Sequence, residues 1–141
     1  MSGSSLLPSR KADHIKINLE KDVKSALTNG LESYHFVHEA LPDLNLDEVD
    51  LSQRLFGKMV TAPILISSMT GGTEEAERIN LVLAQAAQET GIAMGLGSQR
   101  AAIEHPELAR TYQVRRVAPD ILLFANIGAI QLNYQFSLDE C

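Results

Sequence analysis

Three short segments combine small residues with hydroxyl, amide and guanidinium side chains. They are Ser68-Met69-Thr70-Gly71-Gly72, Gly97-Ser98-Gln99-Arg100-Ala101-Ala102 and Ala125-Asn126-Ile127-Gly128-Ala129. Such a composition lets a flat polar ligand approach the main chain: glycine and alanine leave room, and hydroxyls and amides offer hydrogen bonds. Arg100 adds a planar fork whose geometry matches phosphate oxygens. A second cationic pair, Arg10-Lys11, opens the run Arg10-Lys11-Ala12-Asp13-His14. The chemistry these groups offer is the binding of a flat, polar, anionic molecule. Each also has a plainer reading. Gly71-Gly72 serves as a strand-to-helix turn, Arg100 and Arg10-Lys11 as solvated charge, and Asn126 as the cap of a strand end.

Other chemistries find little support. His14, His35, His38 and His105 show no metal-ligand spacing on a clear helix, and His35 and His38, three apart, read as part of a half-exposed segment. There is no Ser-His-Asp pattern, no P-loop and no G-x-G-x-x-G fingerprint. Glu74, Glu75 and Glu77 place negative charge where a helix would otherwise attract phosphate. No metal ligand is expected within the chain.

Regular elements must hold the three segments together. Residues 63–68 (PILISS), 92–97 (IAMGLG) and 121–125 (ILLFA) are short apolar runs, as strands buried on both faces should be. Between the first two, a helix is predicted from about Glu74 to Thr90, with Ile79, Val82, Leu83, Ala86 and Ala87 as its inward stripe. Thr73 suits its N-cap and Gly91 its C-terminal stop. Between the last two, Pro106 is predicted to open a helix that carries Leu108, Ala109 and Tyr112 inward and ends with Arg115 and Arg116 near Pro119. The strands recur at roughly 30 residues, the length of a βαβ unit. A parallel α/β architecture follows, and in such folds ligands bind at the carboxyl ends of the strands, where all three segments fall.

Upstream the signals are weaker. Residues 1–9 are small and polar apart from Leu6 and Leu7, and read as disordered. A helix is expected over residues 20–27, ending before Asn29-Gly30; Pro42-Asp43 marks a loop, and short strands flank the turn at Phe56-Gly57-Lys58. Downstream, Ser137-Leu138-Asp139-Glu140 fits a capping box just before the last residue, Cys141, which points to a larger parent.

A chain of 141 residues, 45% hydrophobic and 21% charged, is an ordinary single globular domain. Its net charge of −6 argues against general nucleic-acid or acidic-membrane binding. The single cysteine excludes a disulfide framework within one chain and fits a reducing cytoplasm. The start lacks the features of a secretory signal, and the uncharged stretch 59–73 is broken by Pro63 and polar residues and is no bilayer span.

Four blocks, taken together, resemble one family. RKADH at 10–14, LFGKMVTAPILISSMTGG at 55–72, GSQR at 97–100 and ANIGA at 125–129 are similar, in order and spacing, to type 2 isopentenyl-diphosphate isomerase. The resemblance implies a (β/α)8 TIM barrel with FMN at its C-terminal mouth, in homo-oligomers (tetramers or octamers). It implies conversion of isopentenyl diphosphate to dimethylallyl diphosphate by protonation and deprotonation, with reduced FMN supplied through NADPH and Mg2+ on the diphosphate. Carried over by position, Arg10 and Lys11 would hold the substrate diphosphate, and Ser68, Met69 and Thr70 would lie against the flavin. Ser98 would touch FMN and, with Gln99 and Arg100, the substrate; Asn126 would contact the flavin ring. The family's Mg2+-binding glutamate, a glutamine beside it, its flavin-binding lysine and the late loops fall beyond Cys141. The chain would then be the N-terminal portion of one FMN-binding barrel domain, about three βα units plus an extension, with no catalytic residue of its own and inactive alone. Two alternatives stay open: another FMN-barrel enzyme of the 2-hydroxy-acid oxidase type, and a non-catalytic fragment.

Overall fold

The structure, a computed structural model, describes residues 6–134 and 136–137, with the side chains of 6–11 and 134 left aside. The first helix, α1, spans Leu6–Glu20, so residues 6–9 lie in its first turn, and residues 1–5 are outside the described residues. The helix expected over 20–27 is absent; α1 ends where that one should begin. The reason is local competition for backbone amides. Asp22 Oδ1 accepts from Lys24 N at 3.1 Å, Ser25 Oγ from Leu27 N at 3.0 Å, and Asn29 Oδ1 from Leu31 N at 3.0 Å. Each such bond offers the chain a turn in place of a helical turn.

A β-hairpin follows, β1 (Gln53–Leu55) and β2 (Lys58–Val60), paired antiparallel with Leu55 opposite Lys58. Its two turn residues, Phe56 at φ 47° and Gly57 at φ 80°, are both left-handed, as the tightest hairpin turn requires. Lys58 Nζ donates to Asp120 O at 2.7 Å, and the Phe56 ring meets Phe124 edge-on at 5.7 Å. The hairpin therefore sits at the amino ends of the strands described next, and leaves their carboxyl ends open.

Those strands are β3 (Leu65–Ile66), β4 (Ala93–Ser98) and β5 (Leu123–Asn126), parallel and neighbours in chain order. The expected alternation is present, and α2 (Glu74–Thr90) has the expected bounds. Thr73 Oγ1 accepts from Ala76 N at 3.1 Å, and Gly91 takes the left-handed conformation at the other end. The core lies between α2 and the sheet: Ala84, Ala87, Met94, Leu96, Tyr112, Val114, Ala118 and Ile121.

Three expectations are corrected. First, only β4 is buried along nearly all its length; Ile64 and Leu65 remain about half exposed, at 56% and 50%. β3 is an edge strand, and an edge has a hydrogen-bonded neighbour on one side only. Second, Ala87 is buried and Leu83 packs on the core as expected, but the rest of the buried face of α2 is Ala76, Asn80 and Ala84, while Val82 and Ala86 face out. Small side chains let the helix approach the sheet closely, so volume rather than hydrophobicity selected the face. Third, no α-helix runs on from Pro106. A short α3 (Arg100–Glu104) gives way to a 3-10 helix over Pro106–Tyr112. Proline lacks the amide donor and drives the preceding residue out of α geometry, and His105 sits at φ −137°, ψ 87°. The fourth helix, α4, spans Ala129–Tyr134. The capping box at 137–140 lies largely outside the described residues.

Candidate functional site

The carboxyl ends of β3, β4 and β5 bring the three segments onto one edge. Gly97 N donates to Thr70 O at 3.1 Å, Gln99 N donates to Asn126 O at 2.8 Å, and Ser98 stands in register with Asn126. Ser68, Met69, Thr70, Ser98, Gln99, Arg100 and Asn126 are thus neighbours across three strands. Their hydroxyls and amides form a row of uncharged donors and acceptors, with one guanidinium beside it.

Close approach explains the glycines. A Cβ on Gly97 would lie 2.5 Å from the Thr70 carbonyl oxygen and 2.9 Å from its nitrogen, and one on Gly95 would collide with Ser68 Oγ. Gly95 and Gly97 are buried, and their missing side chains let the loop after β3 pack directly on β4. The hydroxyl and amide groups that this packing gathers at the strand ends fit the polar edge of an isoalloxazine ring, so the residues present suit FMN.

The individual side chains differ in freedom. Met69 is 66% exposed, and Asn126 is exposed as well. The Gln99 amide turns back on its own loop, with Nε2 donating to Gly97 O at 3.0 Å. Arg100 was placed in a loop by its sequence; it opens α3 instead, where its Nε lies 3.9 Å from Glu104 Oε1. This weak, half-exposed pair leaves the guanidinium at the mouth of the edge and contributes little by itself.

Arg10 and Lys11 lie on α1, and their side chains are outside the described residues. Farther along the same helix, His14, Ile15, Asn18 and Leu19 line a mainly apolar cleft of about 290 Å³ with Met69, Thr70 and Ile79. The helix bearing the basic pair therefore borders the loop after β3.

Sequence reading missed the residues that hold the loops. Asn80, 2% exposed, donates through Nδ2 to Thr70 O at 3.2 Å and to Thr111 O at 3.0 Å. Thr111, 1% exposed, accepts from Gly72 N at 2.8 Å and donates to Leu108 O at 2.7 Å. Tyr112 donates from its hydroxyl to Ser98 O at 2.9 Å. One signal was present: Asn80 lies four residues from both Ala76 and Ala84, on a helix face that small residues mark as closely packed. At the rim, Arg110 pairs with Glu74 and Glu77, and Arg116 with Glu77, tying the start of α2 to the 3-10 segment.

Among the described residues no group of three His, Cys, Asp or Glu side chains could hold a metal ion, and no helix is long and apolar enough to cross a membrane.

Comparison with known proteins adds a family. Residues 5–116 match the model of the FMN-dependent dehydrogenases. The chain is 57% identical over 141 residues to an isopentenyl-diphosphate delta-isomerase of a Nostoc species, a match covering 99% of the chain and 40% of that protein. It is 62% identical over 134 residues to the protein of the same name from a Synechocystis species, covering 94% of the chain and 38% of the relative. The namesake from Rickettsia africae is 57% identical over 132 residues, with 94% and 39% covered. The chain thus spans about 40% of the length of the curated relatives it matches.

Proposed function

This chain belongs to the FMN-dependent dehydrogenase family, and from that premise we propose that it forms the first part of a (β/α)8 flavin barrel that interconverts isopentenyl and dimethylallyl diphosphate. The observation that carries the reading is the shared edge after β3, β4 and β5, where hydroxyl and amide groups are gathered at the strand ends by the close packing of the loop after β3 on Gly95 and Gly97. The relatives' common name supplies the reaction.

In this reading FMN lies on Ser68, Met69, Thr70, Ser98 and Asn126, and the substrate diphosphate meets Arg100 and Gln99, with Arg10 and Lys11 above. Hydroxyl and amide side chains exchange no protons near neutral pH, and arginine stays protonated. The residues on this edge therefore bind and orient; none is an acid or base. Held on these residues, FMN reduced beforehand by NADPH would supply the proton-transfer chemistry, and Mg2+ would neutralise the diphosphate. The protein acts as a homo-oligomer. Isomerisation is redox-neutral: one proton is added to the carbon skeleton and another is lost from it as the double bond moves.

A second reading has its own support, because the matched family is named for dehydrogenases. Oxidation of a 2-hydroxy acid would leave the flavin reduced, whereas isomerisation would not change its redox state. Two assays of the full-length parent protein separate them: isopentenyl diphosphate with FMN, NADPH and Mg2+, and a 2-hydroxy acid with oxidised FMN and no NADPH. Dimethylallyl diphosphate is the expected product of the first; bleaching of the flavin in the second, without isomerisation in the first, would replace this function with the other.

Two substitutions check the assignments of the cations. In the full-length parent protein, Arg100→Ala should weaken isopentenyl diphosphate binding by about 1.5–3 kcal/mol, typical of a hydrogen bond to a charged group and roughly 10- to 150-fold in Kd. Unchanged affinity would leave Arg100 a surface charge paired with Glu104. Arg10→Ala should weaken substrate binding on the order of tenfold and spare FMN binding, because the flavin contacts assigned here all lie on the strand ends. Equal loss of both affinities would make the basic pair structural.

A further inference from the structure

We infer that Tyr112 is a positioning residue that sets the spacing of the two loops on which FMN would rest, a step that depends on the flavin reading above. Two contacts carry the inference. The hydroxyl donates to Ser98 O at 2.9 Å, fixing the last peptide of β4. The ring occupies the space beside Gly71, where even an added Cβ would fall within the ring. One side chain thus meets the loop after β3 with the outer part of its ring and the loop after β4 with its hydroxyl.

The neighbouring bonds reinforce this placement. Thr111, the preceding residue, accepts from Gly72 N, and Asn80 on α2 links Thr111 O to Thr70 O. Together these bonds bind residues 70–72 to the 3-10 segment, and the Tyr112 hydroxyl extends the link to Ser98. Without the hydroxyl, the loop after β4 would keep its strand pairing but lose its tie to that segment. Ser98 Oγ, which accepts from Arg100 N at 3.4 Å, and the start of α3 would then be held relative to Thr70 only by the strand-end bonds of Gly97 and Gln99, and would shift more easily. Tyr112 is only 6% exposed, and burial pushes its phenol up to about 12. It therefore remains a proton donor throughout the neutral range, and the tie does not depend on pH there.

This role differs from plain core packing, which Tyr112 shares with Met94, Leu96 and Ile121. Tyr112→Phe keeps the ring and removes only the hydroxyl. Ile121→Val removes one methylene from the same core without touching either loop. In the intact protein, Kd for FMN is measured by flavin fluorescence, together with the visible spectrum of the bound flavin and thermal unfolding of the apo form. The expected result is a Kd raised about five- to tenfold in Tyr112→Phe, with a displaced flavin band. Ile121→Val should show wild-type FMN affinity and spectrum, although its unfolding midpoint falls at least as far. Wild-type affinity in Tyr112→Phe would overturn the inference. So would failure of Tyr112→Phe to fold, or loss of affinity in both variants in step with stability, because Tyr112 would then be core alone. If the unmodified protein itself binds no FMN, it is the flavin reading that fails, and the two failures are told apart.

Discussion

Alanine at Gly97 is expected to abolish measurable FMN binding and to lower stability by about 3 kcal/mol, the upper range for forced overpacking. The new methyl would stand 2.5 to 2.9 Å from the carbonyl oxygen, carbonyl carbon and nitrogen of Thr70. None of these atoms belongs to a flexible side chain, so the loop must move as a unit. Movement breaks the bond from Gly97 N to Thr70 O and pulls Thr70 away from Asn80. The row of hydroxyls at the strand ends is then displaced. Urea unfolding and an FMN titration on the same preparation check the prediction. Wild-type values of both would show that the strand ends can separate at no cost, and that the close packing at Gly97 does not hold the site.

Asn80→Leu is expected to cost about 1–3 kcal/mol net, although leucine keeps the branching and nearly the size of asparagine. The magnitude comes from the carbonyls left behind. Thr111 O would lose its side-chain donor, at about 1–3 kcal/mol for a buried unsatisfied group, and Thr70 O would keep Gly97 N but lose Asn80, at about 1 kcal/mol. Hydrophobic gain from the leucine offsets part of this. Chemical denaturation reads the result. A stability change within about 0.5 kcal/mol of zero, the range of ordinary surface changes, would mean that the polar tie is replaceable by packing.

Much of the fold was legible because its signals are local. Thr73, the acidic first turn and Gly91 fixed the ends of α2, and the apolar runs before Gly97 and Asn126 marked β4 and β5. The hairpin at Phe56-Gly57 was legible for the same reason. What escaped depended on partners distant in sequence. Asn80 reads as a surface residue until Thr70 and Thr111 are placed around it. The exposure of β3 depends on which side of the sheet it occupies, and nothing in residues 63–68 specifies that. The segment after Pro106 became a 3-10 helix because its hydroxyl and carbonyl groups serve the loop at 70–72, a tertiary demand that overrode helix propensity. The end of α1 was misplaced because Asp22, Ser25 and Asn29 compete locally with helix formation, and hydrophobic spacing does not record that competition.

The candidate site was legible in part. Ser68, Thr70, Ser98, Arg100 and Asn126 stand at one sheet edge, as their positions after apolar runs implied. The Gln99 amide, which folds back onto Gly97 O, could not be foreseen from residue type.

One titration tests the central claim most directly. FMN is added to the intact protein until the flavin spectrum saturates, and isopentenyl diphosphate with Mg2+ is then added to the complex. The account predicts binding of one FMN per chain, followed by a saturable change in the flavin spectrum as the diphosphate settles beside Arg100, with no bleaching. Absence of FMN binding, or a flavin spectrum indifferent to isopentenyl diphosphate at every concentration, would contradict it.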